Sequence, residues 1–275
     1  RDREVPEPVC GDWSKSIDEM PKGYMRPTYF LNNIYRLSKE QLKDVKRAYY
    51  ACITQIDYNL GLLFARMREM GLLENTWIIF TTDHGDMMGD HSMGAKTTFF
   101  EGSAHIPLII RPPFGLNDAH KYIGKRCDTL VNLADILPTI LNIARIEPCY
   151  DLDGINLLDM IDKPQDNRTF YGNCENTYFA VIEGDYKYMW TSLGGHELLF
   201  NIKNDPYEKV NLAIRKEEQD ILMDMRNKLI KQVSKNSSSI VENGKLKHKA
   251  EPKGPEDADK WPGFHSTVVP ADVLH

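Results

Sequence analysis

Residues 77–113 read WIIFTTDHGDMMGDHSMGAKTTFFEGSAHIPLIIRPP. Trp77 to Thr82 is an apolar, β-branched run without alternation, the composition of a strand buried on both faces in a parallel sheet. Ile106 to Ile110 is a second such run, closed by Arg111-Pro112-Pro113. Between them a loop carries Asp83, His84, Asp86, Asp90, His91 and Lys96. In open α/β sheets ligands bind beyond the carboxyl ends of the strands, which is where Asp83 and His84 stand. A carboxylate beside an imidazole suits a divalent cation, but calcium takes about six to eight oxygen ligands and magnesium about six. The other ligands must come from elsewhere, and a solvated acidic loop is the alternative. Lys96 can fold back to offer a compact positive charge to an anion, or can be an ordinary surface lysine.

Working outward, Ser38 followed by Gln41 forms a capping-box pattern. Apolar residues then recur with helical spacing from Leu42 through Ile53, Ile56 and Leu63 to Met67, and Gly71 stands where a C-terminal cap would stop the helix. One face of this helix, over residues 39–70, is expected to pack on the sheet. Residues 127–144 read as another helix, with Pro138 either a kink or part of a first turn. Helix, buried strand, loop, buried strand, helix is an α/β order.

After residue 165 the texture changes. TFYGNCE, YFAVIEGDYKYMWT and HELLFNI are short β-like runs, with turns at Gly184-Asp185 and Gly194-Gly195. Residues 215–235 place Leu222, Met225, Leu229, Ile230 and Val233 on one side of a helix. Residues 1–37 read as an extended or loop segment. The chain thus divides into an α/β portion over 1–165, a small α+β subdomain over 166–236 and an extended arm over 237–275, which either lies on this subunit or a neighbouring copy through its anchors Trp261 and Phe264 or is disordered.

The formal charge of −6 argues against a nucleic acid partner. No apolar run is long enough to span a membrane. The N-terminus is not a secretory signal and lacks an initiator Met, so any targeting segment would lie upstream of residue 1, leaving periplasmic, secreted and cytoplasmic locations open. Cys10, Cys52, Cys127, Cys149 and Cys174 are scattered and odd in number, which points to buried free thiols rather than a disulfide frame.

TTDHGDMMGDHSMGAKTTFFEGSAHIPLIIRPP resembles the second half of a sulfatase of the alkaline-phosphatase superfamily. YYACITQIDYNLGLLFARMREMGLLENTWIIF, LVNLADILPTILNIARI and LLFNIKNDPYEKVNLA extend the likeness over roughly residues 40–215. The resemblance implies a mixed, mainly parallel sheet flanked by helices, with a smaller C-terminal antiparallel sheet plus helix. Asp83 and His84 match the pair that completes a calcium site, with Mg2+ or Mn2+ as alternatives. Lys96 matches the lysine on the sulfate and leaving-group oxygens. His91 matches a histidine of supporting or pocket-wall role, which makes it a catalytic candidate, and His105 a structural position.

The family's formylglycine nucleophile, made from Cys or Ser in a C/S-x-P/A-x-R motif, has no counterpart in these residues. The chain therefore resembles the C-terminal portion of a sulfatase, expected to be inactive alone. In the complete enzyme the resemblance implies attack of hydrated formylglycine on the sulfur of a small-molecule or saccharide sulfate ester, with the metal and Lys96 offsetting charge. A phosphodiesterase or phosphonate monoester hydrolase is the alternative chemistry, and a non-catalytic interaction fragment the alternative class.

Overall fold

The structure is a computed structural model that describes residues 4–15, 20–27, 34, 37–165, 167–236 and 240–251. Its helices are α1 (Lys22–Pro27), α2 (Lys39–Glu69), α3 (Glu101–Ala104), α4 (Ile136–Ala144) and α5 (Gln219–Asn236). Its strands are β1 (Ile78–Thr81), β2 (Leu108–Arg111), β3 (Thr169–Cys174), β4 (Tyr178–Glu183), β5 (Tyr186–Thr191), β6 (Glu197–Asn201), β7 (Val241–Glu242) and β8 (Lys245–Leu246). No helix among the described residues is long and apolar enough to cross a membrane. The chain forms two compact units. Of the described residues, one joins those through Tyr49, the loop His84–His105 and those from Tyr171 onward; the other joins those of Tyr50–Asp83 with those of Ile106–Phe170.

The four-stranded sheet runs in the order β3-β4-β5-β6, and β4–β5 and β5–β6 pair antiparallel. Gly184, at φ 56°, makes the tight turn that sets Glu183 opposite Tyr186. Successive side chains point to opposite faces, and here both faces are buried. Phe179, Val181, Tyr188, Trp190 and Leu199 meet Leu222, Met225 and Leu229 of α5. Tyr178, Met189, Leu198 and Phe200 meet Trp13, Tyr24, Met87, Met93 and Phe100. The expected sheet with one helix on it is present, and its second face is covered by the charged loop and the N-terminal segment. That segment also holds α1, which its Pro- and aromatic-rich composition hides.

The second unit departs from expectation in two ways. β1 pairs with β2 antiparallel, Ile78 opposite Arg111 and Thr81 opposite Leu108, so the parallel direction drawn from their composition does not describe this pair. An unbroken apolar run reports burial, not the direction of a neighbour. The long helix is also covered less than expected, with only Leu60, Phe64 and Met67 half-buried among its apolar residues from Tyr50 onward. Ser38 and Gln41 form the capping box as expected, at 2.8 and 3.2 Å, and Gly71 stops the helix at φ 68°. From Tyr50 onward, however, Ile53, Ile56 and Leu63 stay exposed, as do Phe80 of β1 and Ile109 of β2. A two-stranded ribbon is too narrow to cover one face of so long a helix.

The segment 127–144 is helical only from Leu133, and Pro138 sits in the first turn of α4. Asp135 anchors this end of the second unit. Its fully buried carboxylate takes two bonds of 2.6 Å from Arg168, plus the backbone N–H groups of Asn132 and Ile155. The cysteines are free, but none is buried: Cys10, Cys52 and Cys149 are exposed, Cys52 because its helical face is bare. Trp261 and Phe264, and the arm beyond residue 251, lie outside the described residues.

Candidate functional site

Asp83 follows β1 in the second unit, and its Oδ1 accepts from the Thr82 hydroxyl at 3.1 Å. His84, the first loop residue of the other unit, has its Nδ1 2.8 Å from the Gly85 carbonyl oxygen. A carbonyl only accepts, so Nδ1 carries the proton. A second hydrogen bond of this kind, from Nδ1–H to a backbone carbonyl, is the contact that orients a metal-ligating histidine. Gly85 is required where it stands: a Cβ would meet the Gly102 carbonyl oxygen at 2.2 Å. Among the described residues no group of three His, Cys, Asp or Glu is placed to hold a metal ion.

The loop folds back on itself through Met87 N–H to the Ala95 carbonyl (2.9 Å) and Gly89 N–H to the Met93 carbonyl (2.8 Å). Asp90 accepts from Val9 N–H at 3.0 Å and pairs with the buried Lys46 of α2 at 3.4 Å. Non-glycine residues with positive φ are concentrated here: Met88, His91, Ser92, Ala95 and Thr97, the last at 87°. Such conformations cost about 1–3 kcal/mol each and persist only where the surroundings over-determine them. Lys96, partly exposed, lies between two of them. The hydroxyls of Thr97 and Thr98 beside it are buried without a partner.

His91 is 2% exposed. Its Nε2 donates to the Tyr207 carbonyl (3.1 Å), so its Nδ1 accepts from the Ser14 hydroxyl (2.8 Å), which in turn accepts from Gly11 N–H (2.7 Å). Trp13 packs on the ring at 4.7 Å. Burial pushes its pKa down to about 4, so it is neutral near pH 7. With both nitrogens engaged, it ties the loop to the residues around it.

The loop leaves through Phe99–Glu101. Lys187 of β5, fully buried, donates to the Phe99 carbonyl (2.9 Å), to Glu208 (2.9 Å) and to Glu101. The second Glu208 oxygen accepts the Glu101 N–H at 2.8 Å. Burial resists ionisation of Glu101, but hydrogen bonds from His105 and Lys187 outweigh it and hold its carboxyl at about 2. Burial likewise opposes the charge of Lys187, and Glu208 and Glu101 overcome it, raising the ammonium pKa. His105, largely exposed, bonds the other Glu101 oxygen at 2.7 Å, which raises its own pKa.

Lys187, Glu208, Tyr207, Ser14 and Trp13 are the site neighbours that sequence reasoning missed. A lysine inside the apolar run YKYMWT was the one available signal.

A family model described as "Sulfatase" matches residues 7–146, and one described as "N-sulphoglucosamine sulphohydrolase, C-terminal" matches residues 89–235. An arylsulfatase of Clostridium perfringens (strain 13 / Type A) is 34% identical over 252 residues, 90% of this chain and 51% of that protein. Among solved structures, the phosphonate monoester hydrolase of Agrobacterium radiobacter superposes with a TM-score of 0.70 at 21% identity, over 90% of this chain and 55% of that one. A 2-O GAG sulfatase superposes with a TM-score of 0.72 at 20% identity, over 90% and 56%. The chain spans about half the length of the curated relatives it matches. These neighbours give the fold as alkaline-phosphatase-like α/β with a small antiparallel sheet.

Proposed function

Since this chain belongs to the sulfatase family, we propose that it supplies the metal-ligating and anion-stabilising loop of a sulfate ester hydrolase. The observation that carries the reading is the placement of Asp83 and His84 side by side directly after β1, with the His84 Nδ1 held 2.8 Å from the Gly85 carbonyl oxygen. In this reading Asp83 and His84 are two ligands of a divalent cation, calcium or else magnesium or manganese, and residues outside this chain complete the set. When bound, the cation would offset charge on the sulfate oxygens and favour the nucleophile. The nucleophile is a formylglycine that also lies outside these 275 residues.

The residues of this chain do the rest. Lys96 sets its ammonium against the sulfate and the departing oxygen, where negative charge grows in the transition state. The strained turns on either side of it fix its direction in advance, so little reorganisation remains for the reacting complex. His91, neutral and doubly hydrogen-bonded, supports the loop and moves no proton. With a formal charge of −6 on the chain, attraction of an anionic ester must be local to Lys96 and the cation.

The test compares aryl sulfate, phosphate monoester and phosphate diester turnover by the complete gene product and its Lys96→Ala and Asp83→Ala variants. Sulfate is expected to be the preferred ester. Asp83→Ala is expected to weaken metal binding and turnover together, and Lys96→Ala to lower kcat by about 100-fold or more. The 275-residue chain alone is expected to turn over none of them. Preference for a phosphodiester would replace the sulfatase reading with that of a phosphodiesterase or phosphonate monoester hydrolase, and unaltered turnover by K96A would remove Lys96 from the site.

A further inference from the structure

Several of the contacts that hold the loop carrying Lys96 end on one short stretch of the C-terminal sheet region. Five residues before Lys96, the His91 ring donates to the Tyr207 carbonyl at 3.1 Å. Five residues after it, the Glu101 N–H donates to the Glu208 carboxylate at 2.8 Å. Lys187, 0% exposed, bridges the Phe99 carbonyl, Glu101 and Glu208. Trp13 closes the ring by donating its indole N–H to the Glu208 carbonyl (2.7 Å) while stacking on Phe100 at 5.0 Å. Glu208 itself sits at φ 54°. Two consecutive residues, Tyr207 and Glu208, together with one buried cation thus grip the loop on both sides of the backbone that carries Lys96.

We infer that Lys187 and Glu208 are positioning residues for Lys96: a buried charge clamp through which the C-terminal sheet sets the geometry of the anion-stabilising lysine. This rests on the reading of Lys96 given above. The physical case comes from the cost of the arrangement. A fully buried ammonium loses its hydration, and a well-packed apolar residue would serve the sheet's stability as well or better. What an apolar residue cannot do is direct hydrogen bonds to two groups of one loop, the Phe99 carbonyl and the Glu101 carboxylate, while holding Glu208 with a third. Ala95 and Thr97, at φ 62° and 87°, would relax toward ordinary conformations if that loop were released.

The experiment uses the full 275-residue chain and two readouts. Native-state hydrogen exchange follows the hydrogen-bonded amides of Met87, Gly89, Met93 and Glu101 against those of the β4–β5 hairpin. NMR of the Lys96 ε-methylene follows titration with inorganic sulfate. The variants are Lys187→Met and Glu208→Gln. The double variant Lys187→Met/Glu208→Met is added because replacing both members of a buried pair restores stability that single removal destroys.

In each variant the loop amides are expected to exchange at least about tenfold faster relative to the hairpin amides, and the sulfate response of Lys96 is expected to weaken by at least about tenfold. In the double variant the hairpin amides regain wild-type protection while the loop amides stay fast. Equal acceleration of loop and hairpin amides, or loop amides that recover with the hairpin in the double variant, would overturn the clamp and leave only a structural ion pair. A wild-type Lys96 that ignores sulfate would sink the functional reading of Lys96, and the exchange readout would still decide whether the clamp exists.

Discussion

β4, YFAVIE, and β1, IIFT, read much alike as apolar strands, yet they sit in opposite surroundings. In β4 every residue from Tyr178 to Ile182 is buried, because α5 covers one face and the loop with the N-terminal segment covers the other. In β1 and its partner β2, Phe80 and Ile109 stand exposed, Ile109 at 59%, and the helix that precedes them in the chain leaves Ile53, Ile56 and Leu63 bare. Apolar patches of this kind mark surfaces made to be covered. Composition tells that a strand seeks burial; it does not tell whether the same chain provides the cover. The first unit is therefore held chiefly by apolar packing around its sheet, and the second by a polar hub at Asp135.

That contrast can be broken at both ends. Removing the hub should cost the most. Asp135→Ala strands the Arg168 guanidinium and uncaps the turn before α4, and is expected to lower stability by about 4 kcal/mol or more, read by urea unfolding with probes in the second unit. A loss below about 1 kcal/mol would mean that the hub is incidental.

Next comes Phe200→Ala, fully buried against Trp13 and Phe100, with an expected loss of about 3–4 kcal/mol from the transfer and cavity terms. The same titration reads it, through the first unit.

Acid should then act on the first unit through His91. Its folded pKa of about 4 lies below the unfolded value of 6.5, so between those values the unfolded chain binds a proton that the folded chain refuses. The contribution is complete above pH 6.5 and is lost as the pH falls toward 4, by about 3 kcal/mol in all. Urea titrations at several pH values should show this slope in the wild type and its loss in His91→Gln; an unchanged slope would remove His91 as its source.

The smallest effects belong to the exposed ribbon. Phe80→Ala and Ile109→Ala are expected to stay within about 0.5 kcal/mol of wild type. A loss as large as that of Phe200→Ala would erase the contrast from which these predictions start.

Local signals were the legible ones. The Ser38–Gln41 box, the stop at Gly71, the turn at Gly184 and the apolar side of α5 each depend on residues a few positions apart, and each is present. The order of elements and the charged loop after a strand sufficed for the fold class. The direction of the β1–β2 pair was not legible, because an unbroken apolar run fits either direction. Nor was the cysteines' exposure, which follows from what covers a surface rather than from residue type. Around the loop, Asp83, His84 and Lys96 stood out as chemistry, whereas Lys187 was passed over inside a β-like run. Its partners lie at sequence distances of 86 and 21 residues, and no local pattern announces such pairings. The pairing of His91 with Ser14, 77 residues away, escaped for the same reason.

The grip of Tyr207 and Glu208 on a loop that ends at His105 also has a consequence for biosynthesis. A ribosome delivers the loop first and its clamp 103 residues later (208 − 105). At about 5–20 residues per second, that leaves the loop without its C-terminal restraints for roughly 5–20 s during translation. Throughout that interval Met87, Met93 and Phe100, which end fully covered, are available to any chaperone near the exit tunnel. Nascent chains arrested before residue 205 should still be open to protease at the loop, and chains arrested far enough beyond residue 211 for that stretch to clear the tunnel should resist.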